Sequence, residues 1–198
     1  MFTKKIRGSI LFAGPLVART GKVVMSPPGG DVIGRRRVDT HFLALQELGV
    51  NISANGQFVF ATNKLVGADI FLDEASVTAT ENAVMAAVLA EGQTIITNAA
   101  SEPHIQDLCN MLNSMGAKIR GVGSNILKIE GVKKLQATEH SVICDRIAAA
   151  TYLFAGAITG GDITLKNTVP QHLNSILPVL EETGCEISIK CNDIRLKA

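Results

Sequence analysis

The segment SPPGGDVIGRRRVDTH, residues 26–41, carries two prolines, three glycines, one acid (Asp31) and three successive arginines, Arg35, Arg36 and Arg37, before Asp39 and His41. Pro-Pro-Gly-Gly continues neither a strand nor a helix, so Asp31 rides on a loop able to open and close. Arg36 and Arg37 fall just before an expected helix start, where free N–H groups and the helix dipole already favour anions. An acid on a movable loop beside fixed cations suits a phosphate or carboxylate ligand. The same composition also describes a solvated arginine run and a flexible hairpin, and residue types alone leave both readings open.

The elements that must position this loop form a repeat. RTGKVVMS, AEGQTIITN and ITGGDITLKN each join a helix end, a glycine and a β-rich run, with glycines at Gly21, Gly92 and Gly161, 71 and 69 residues apart. LQELGVNI, LNSMGAKI and LEETGCEI follow with Gly49, Gly116 and Gly184, 67 and 68 apart. Two landmarks recurring in step imply three copies. Each copy opens with an apolar helix (SILFAGPLVAR, ENAVMAAVLAE, AAATYLFAGAI) and a strand. A second helix follows, with a stripe such as Ile105, Leu108, Cys109, Leu112 and Met115, or Leu173, Ile176, Leu177 and Leu180. A hairpin closes each copy, the first at Asn55-Gly56. Further strands, ADIFLD and HSVICD, are expected to join the copies. The expected fold class is α/β: three helix-strand-helix-hairpin units of about 68 residues, with apolar helices buried by sheets. Copies two and three have only NAASEPHI and NTVPQHL where copy one has the loop, so function is sought in copy one.

Composition narrows the classes. The 198 residues are 46% hydrophobic and 4% aromatic, with no Trp and a net charge of +1. That excludes disorder and disfavours a charge-driven nucleic-acid binder. No apolar run reaches a membrane span of ~20 residues, and MFTKKIRGSI lacks a cleavable signal, so a cytoplasmic protein is expected. Cys109, Cys144, Cys185 and Cys191 show no CxxC and no metal spacing with the histidines, so they read as reduced thiols, mostly core filler. No metal and no cofactor are expected. His41 and His104 read as packed or surface residues, and Asp145-Arg146 as a structural boundary pair.

RGSILFAGPLVARTGKVVMSPPGGDVIGRRRVDTHFLALQELG resembles the UDP-N-acetylglucosamine 1-carboxyvinyltransferases, the MurA family of enolpyruvyl transferases. LDEASVTATENAVMAAVLAEG, TNAASEPHIQDLCNMLNSMGAKIRGVGSN and ICDRI extend the resemblance over essentially the whole chain, and PGGxxIGxRxVDxH is its most specific motif. The resemblance implies an inside-out α/β barrel in two lobes. Residues 1–143 would be two units of the catalytic lobe carrying loop 26–37, and 144–198 the first unit of the other lobe. Alternatively, the three units close into one pseudo-threefold domain. It also implies transfer of enolpyruvyl from phosphoenolpyruvate to the 3′-hydroxyl of UDP-N-acetylglucosamine, releasing phosphate at the first committed step of peptidoglycan synthesis. Position by position, Asp31 becomes the proton donor and Arg36 a contact to phosphoenolpyruvate. Arg36, Arg37, Val38, Asp39 and Thr40, with Arg7, would bind the nucleotide sugar, and Glu74, Ala75, Ser76 and Val77 would lie along its diphosphate. Neither nucleic acid nor membrane is an implied partner. The alternative is a catalytically silent nucleotide-sugar-binding or scaffold domain of the same fold, because the family's chains run longer at both ends.

Two positions depart from the family pattern. Glu74 stands where many members carry lysine. Asp31 stands where most carry cysteine; a free aspartate ionises near pH 4, so a donor role requires its pKa to be raised by burial or by negative substrates. Fosfomycin alkylates the loop thiol of the cysteine members. Incubation with fosfomycin is therefore expected to leave the intact mass of this protein unchanged, and an adduct mapped to Asp31 would refute that reading.

Overall fold

The structure is a computed structural model that describes residues 2–30, 34 and 37–198 (Phe2 by its backbone only). Two 3-10 helices, Phe2–Lys5 and Arg7–Phe12, lead into α1 (Ala13–Thr20). α1 ends where Gly21 adopts φ 72°, its N–H closing on the Val17 carbonyl, a left-handed cap that a side chain would strain. β1 (Lys22–Met25) turns Val23 and Met25 inward. It pairs antiparallel with β3 (Phe58–Ala61), which also holds β2 (Asn51–Ser53), giving the order β1-β3-β2. α2 (Asp39–Glu47) lies between β1 and this hairpin in sequence and buries Ala44 and Leu45.

The second copy repeats the plan with one more strand. β4 (Asp69–Phe71), α3 (Val77–Ala87), β5 (Gln93–Thr97), α4 (Pro103–Ser114), β6 (Lys118–Arg120) and β7 (Ile126–Glu130) form a sheet ordered β4-β5-β7-β6, with β4 parallel to β5. α3 begins at Val77 rather than near Glu81, because Ser76 caps it by accepting from the Ala79 N–H. Ala79, Ala83, Val84, Ala86 and Ala87 are each 0% exposed, and α3 packs on α1, α2, α4 and β7. A helix apolar on nearly every face is covered on nearly every face.

The chain divides into two compact units, Met1–His140 and Ser141–Ala198. In the second, α5 (Arg146–Ile158) is capped by Asp145, whose Oδ1 accepts from the N–H groups of Ile147 and Ala148 at 2.8 and 3.2 Å. β8 (Asp162–Leu165), α6 (Leu177–Glu182), β9 (Glu186–Lys190) and β10 (Asp193–Lys197) follow, in sheet order β8-β10-β9. Leu153, Leu173, Leu180, Ile194 and Leu196 form its core.

Three expectations need correction. HSVICD is not a strand: residues 140–145 are irregular and Val142 is 80% exposed. Its counterpart β4 survives because β5 takes its hydrogen bonds, whereas β8 pairs with β10 alone; β-branched residues make a strand only beside a partner. The stripe 173–180 is not one helix but a 3-10 turn, Pro170–Leu173, followed by α6. Pro178 lacks the N–H that would reach the Asn174 carbonyl and its ring crowds it, so the helix restarts. Of the cysteines only Cys109 is buried, and Cys191 is exposed in a turn.

α1 and α3 cross at Gly14. A Cβ there would lie 2.5 Å from the Asn82 carbonyl oxygen and 2.8 Å from its Oδ1. Gly14→Ala is therefore expected to cost about 2 kcal/mol or more, as overpacking does in a rigid core. Gly8→Ala, whose nearest neighbour would be 4.0 Å away, serves as the control and should be neutral or slightly stabilising in the same denaturant titration.

Candidate functional site

Three segments far apart in sequence meet at the N-terminal ends of α2 and α3. Arg37, two residues before α2 begins, lies between two acids: its Nε donates to Asp39 Oδ2 at 2.7 Å and its Nη2 to Asp73 Oδ2 at 3.0 Å. Thr40 Oγ1 donates to Asp73 Oδ1 at 2.7 Å, which ties α2's first turn to the segment leading into α3. Arg7 closes the third side, its Nη2 donating to the Arg37 carbonyl at 2.6 Å. The hydrogen bond and charge of Asp39, then the charge of Asp73, raise the Arg37 pKa. Arg37 is thus a held, permanently charged group.

Arg7, Gly8, Ile10, Arg37, Thr40, His41, Glu74, Ser76 and Thr78 line a cleft of about 570 Å³. Five residues singled out from the sequence, Arg7, Arg37, Thr40, Glu74 and Ser76, are brought together there. Asp39 is exposed beside the cleft, bound to Arg37. Val38 is half-buried and does not line the cleft, Val77 packs against the core, and Ala75 is exposed. Asp31 and Arg36 lie outside the described residues. The loop's stem is held tightly: a Cβ on Gly29 would overlap the Lys4 carbonyl, and one on Gly30 would lie 3.1 Å from Arg7 Cβ. That is why Pro-Pro-Gly-Gly must be glycine at its end, and it brings the start of the loop to Arg7.

Behind the cleft is a buried polar network that residue patterns did not reveal. Asn82, 0% exposed, accepts from the Gly14 N–H at 2.9 Å and donates to the Ile10 carbonyl at 2.9 Å. Its Nδ2 also lies 2.9 Å from His41 Nδ1, and His41 Nε2 lies 3.2 Å from Thr78 Oγ1. Burial, and then the charge of Arg7, push the His41 pKa down to about 4. Of the two readings the sequence left for His41, packed or solvated, the structure shows the packed one, and its packing is polar. The available signal was an amide opening the otherwise apolar run Asn82–Ala90, since a buried amide must find partners. Asp73 was missed because an acid before a helix reads as ordinary capping. Among the described residues no group of three or more His, Cys, Asp or Glu could hold a metal ion, and no helix is long and apolar enough to cross a membrane.

Residues 2–198 match the family described as EPSP synthase (3-phosphoshikimate 1-carboxyvinyltransferase). The chain is 59% identical over 94% of its length to a UDP-N-acetylglucosamine 1-carboxyvinyltransferase of Treponema denticola, covering 44% of that protein. It is 56% identical over 92% of its length to the enzyme of that name from Borreliella burgdorferi, covering 43%, and 46% identical over its full length to that of Bacteroides fragilis, covering 47%. It therefore spans less than half the length of these curated relatives. Among solved structures, the enolpyruvyl transferase NikO of Streptomyces tendae superposes with a TM-score of 0.75 at 19% identity, over 96% of this chain and 46% of that one. An EPSP synthase of Acinetobacter baumannii gives 0.73 at 22%, with the same coverage. The α/β architecture with buried helices is thus the enolpyruvyl-transferase fold.

His41 supplies a pH signature. It is 2% exposed and takes up its proton near pH 4 when folded, against 6.5 as a free imidazole. Between those values the unfolded chain binds the extra proton. The stability due to neutral His41 is complete above about pH 6.5 and is lost as pH falls toward 4, by up to about 3 kcal/mol. Denaturant titrations across that window should show a steeper loss in the native protein than in His41→Gln; equal slopes would exclude a buried neutral imidazole.

Proposed function

Because the chain belongs to the EPSP synthase family, we propose that it is the part of a carboxyvinyl transferase that binds UDP-N-acetylglucosamine and presents it to phosphoenolpyruvate. The observation that carries this reading is the cleft itself, where Arg7, Arg37, Thr40 and Ser76 converge from three separate segments. Both proposed substrates are polyanions. Two guanidinium groups and the N–H groups at the starts of α2 and α3 offset their charge and hold the diphosphate. The choice of acceptor follows the relatives at 46–59% identity, which are named for the nucleotide sugar.

In the proposed reaction the sugar's 3′-hydroxyl adds to C2 of phosphoenolpyruvate while a proton goes to C3; phosphate then leaves and restores the double bond as a proton is lost from C3. Asp31 is the proposed proton donor, from a loop anchored beside Arg7. Its carboxyl must be neutral to act, and the substrates' negative charge, with water excluded, favours the neutral form. Arg36 and Arg37 would balance the phosphate and carboxylate of phosphoenolpyruvate as charge moves onto the leaving group. Residues 1–143 would belong to one lobe and 144–198 to the start of another. The product's place is the first committed step of peptidoglycan synthesis, in the cytoplasm.

The test is phosphate release from phosphoenolpyruvate with UDP-N-acetylglucosamine or shikimate 3-phosphate as acceptor, alongside calorimetric binding of each acceptor. Release or binding with the nucleotide sugar alone is expected. Arg37→Ala should weaken that binding tenfold or more, roughly the 1.5–3 kcal/mol of a charge-assisted hydrogen bond. Binding without release would mark a nucleotide-sugar-binding unit that needs further residues for turnover. Binding of neither acceptor would overturn the reading.

A further inference from the structure

Asn82 has both of its amide atoms facing backbone groups of fixed sense. The Gly14 N–H can only donate, so the atom 2.9 Å from it is Oδ1; the Ile10 carbonyl can only accept, so the atom 2.9 Å from it is Nδ2. The orientation of the amide follows from chemistry alone. Its second Nδ2 proton meets His41 Nδ1 at 2.9 Å. A ring nitrogen that accepts a proton carries none, so neutral His41 holds its own proton on Nε2. That proton is donated to Thr78 Oγ1, 3.2 Å away.

The consequence falls on Thr78. Its oxygen is already accepting, and its own O–H has no acceptor among the described residues, while the side chain lines the cleft with Arg7 and Arg37. In the opposite tautomer His41 Nε2 would take the Thr78 proton and silence it, and Asn82 would face another donor. We propose that Thr78 is a ligand-selecting residue of this cleft, its hydroxyl proton turned toward an anionic oxygen of the ligand by the relay from Asn82 through His41. Beside two guanidinium groups the acceptor is a phosphoryl oxygen. This rests on the reading given above, which supplies that oxygen as the diphosphate of the nucleotide sugar. Asn82 and His41 are positioning residues that act through Thr78.

Calorimetric titration of the native protein, Thr78→Val and Thr78→Ser with inorganic pyrophosphate and with UDP-N-acetylglucosamine tests the assignment. Thr78→Val keeps the shape but loses both the proton and the acceptor of His41 Nε2; it is expected to bind both ligands about tenfold more weakly or worse and to melt at a lower temperature, the native fold being confirmed by its circular dichroism. Thr78→Ser restores the hydroxyl and should stay within about threefold of native. Nitrogen NMR of the labelled histidines at neutral pH should place the His41 proton on Nε2, a signature that packing alone does not require. Equal binding of the nucleotide sugar by native and Thr78→Val, or a proton on Nδ1, overturns the inference while the proposed function stands. Pyrophosphate binding lost in Thr78→Val, with no native affinity for the nucleotide sugar, sustains the inference and sinks that function. No binding of either ligand to the native protein overturns both.

Discussion

The close crossing of α1 over α3 is the constraint on which the first unit depends. α1 can approach α3 this nearly because Gly14 has no side chain, and the approach is useful because Asn82 then reaches two backbone groups of α1's entry. One buried amide holds the Ile10 carbonyl, the Gly14 N–H and His41, which belong to three different elements. A half-satisfied amide in this position would be worse than an apolar residue, so the network is all or nothing. Its position matters as much as its strength: it sits immediately behind the cleft, so the helix packing that stabilises the core also fixes the cleft's walls.

Charge is arranged on the same principle of prior commitment. Two acids, Asp39 and Asp73, hold Arg37 before any ligand arrives, and Asp73 also accepts from Thr40. These groups are exposed, so the pairs contribute little stability. Their effect is on geometry. A guanidinium already oriented loses less freedom when it meets a phosphate than a solvated one does. The acids weaken the net positive charge of the cleft, and in the proposed binding role this would favour a ligand whose shape fits over any anion that merely passes.

Much of this was legible in the sequence, and the failures have physical causes. Periodicity and paired glycines exposed the repeat, because a helix end and a turn demand particular residues wherever they recur. The structure carries the repeat further than residue identity does: Asn98 and Asn167, each just after the corresponding strand of its copy, share positive φ values of 60° and 54°. Arg37 was found because an arginine run before a helix stands out against an apolar chain, whereas Arg7, Thr40, Glu74 and Ser76 came only from the family resemblance, position by position. Asn82, His41 and Thr78 were not found, since what matters in them is which atoms face each other across elements 37 to 72 residues apart. The HSVICD strand failed for the complementary reason: β-propensity is local, and a strand is a relation between two segments.

α3 and α5 make that last point in its sharpest form. Both are apolar almost throughout, and composition predicts the same deep burial for each. α3 is covered by α1, α2, α4 and a sheet. α5 buries Ala149, Ala150, Leu153 and Gly156, yet leaves Tyr152 at 65% and Ile158 at 87% exposure. The difference lies in neighbours within each unit: α5 packs on β8, β10 and the 3-10 turn Pro170–Leu173, whereas α3 lies against three helices of its own unit. The first unit contains the opening helices of two copies, packed on each other through Gly14 and Asn82. The cleft and full helix burial therefore occur together, where two copies of the repeat meet and a polar network can be sealed between them.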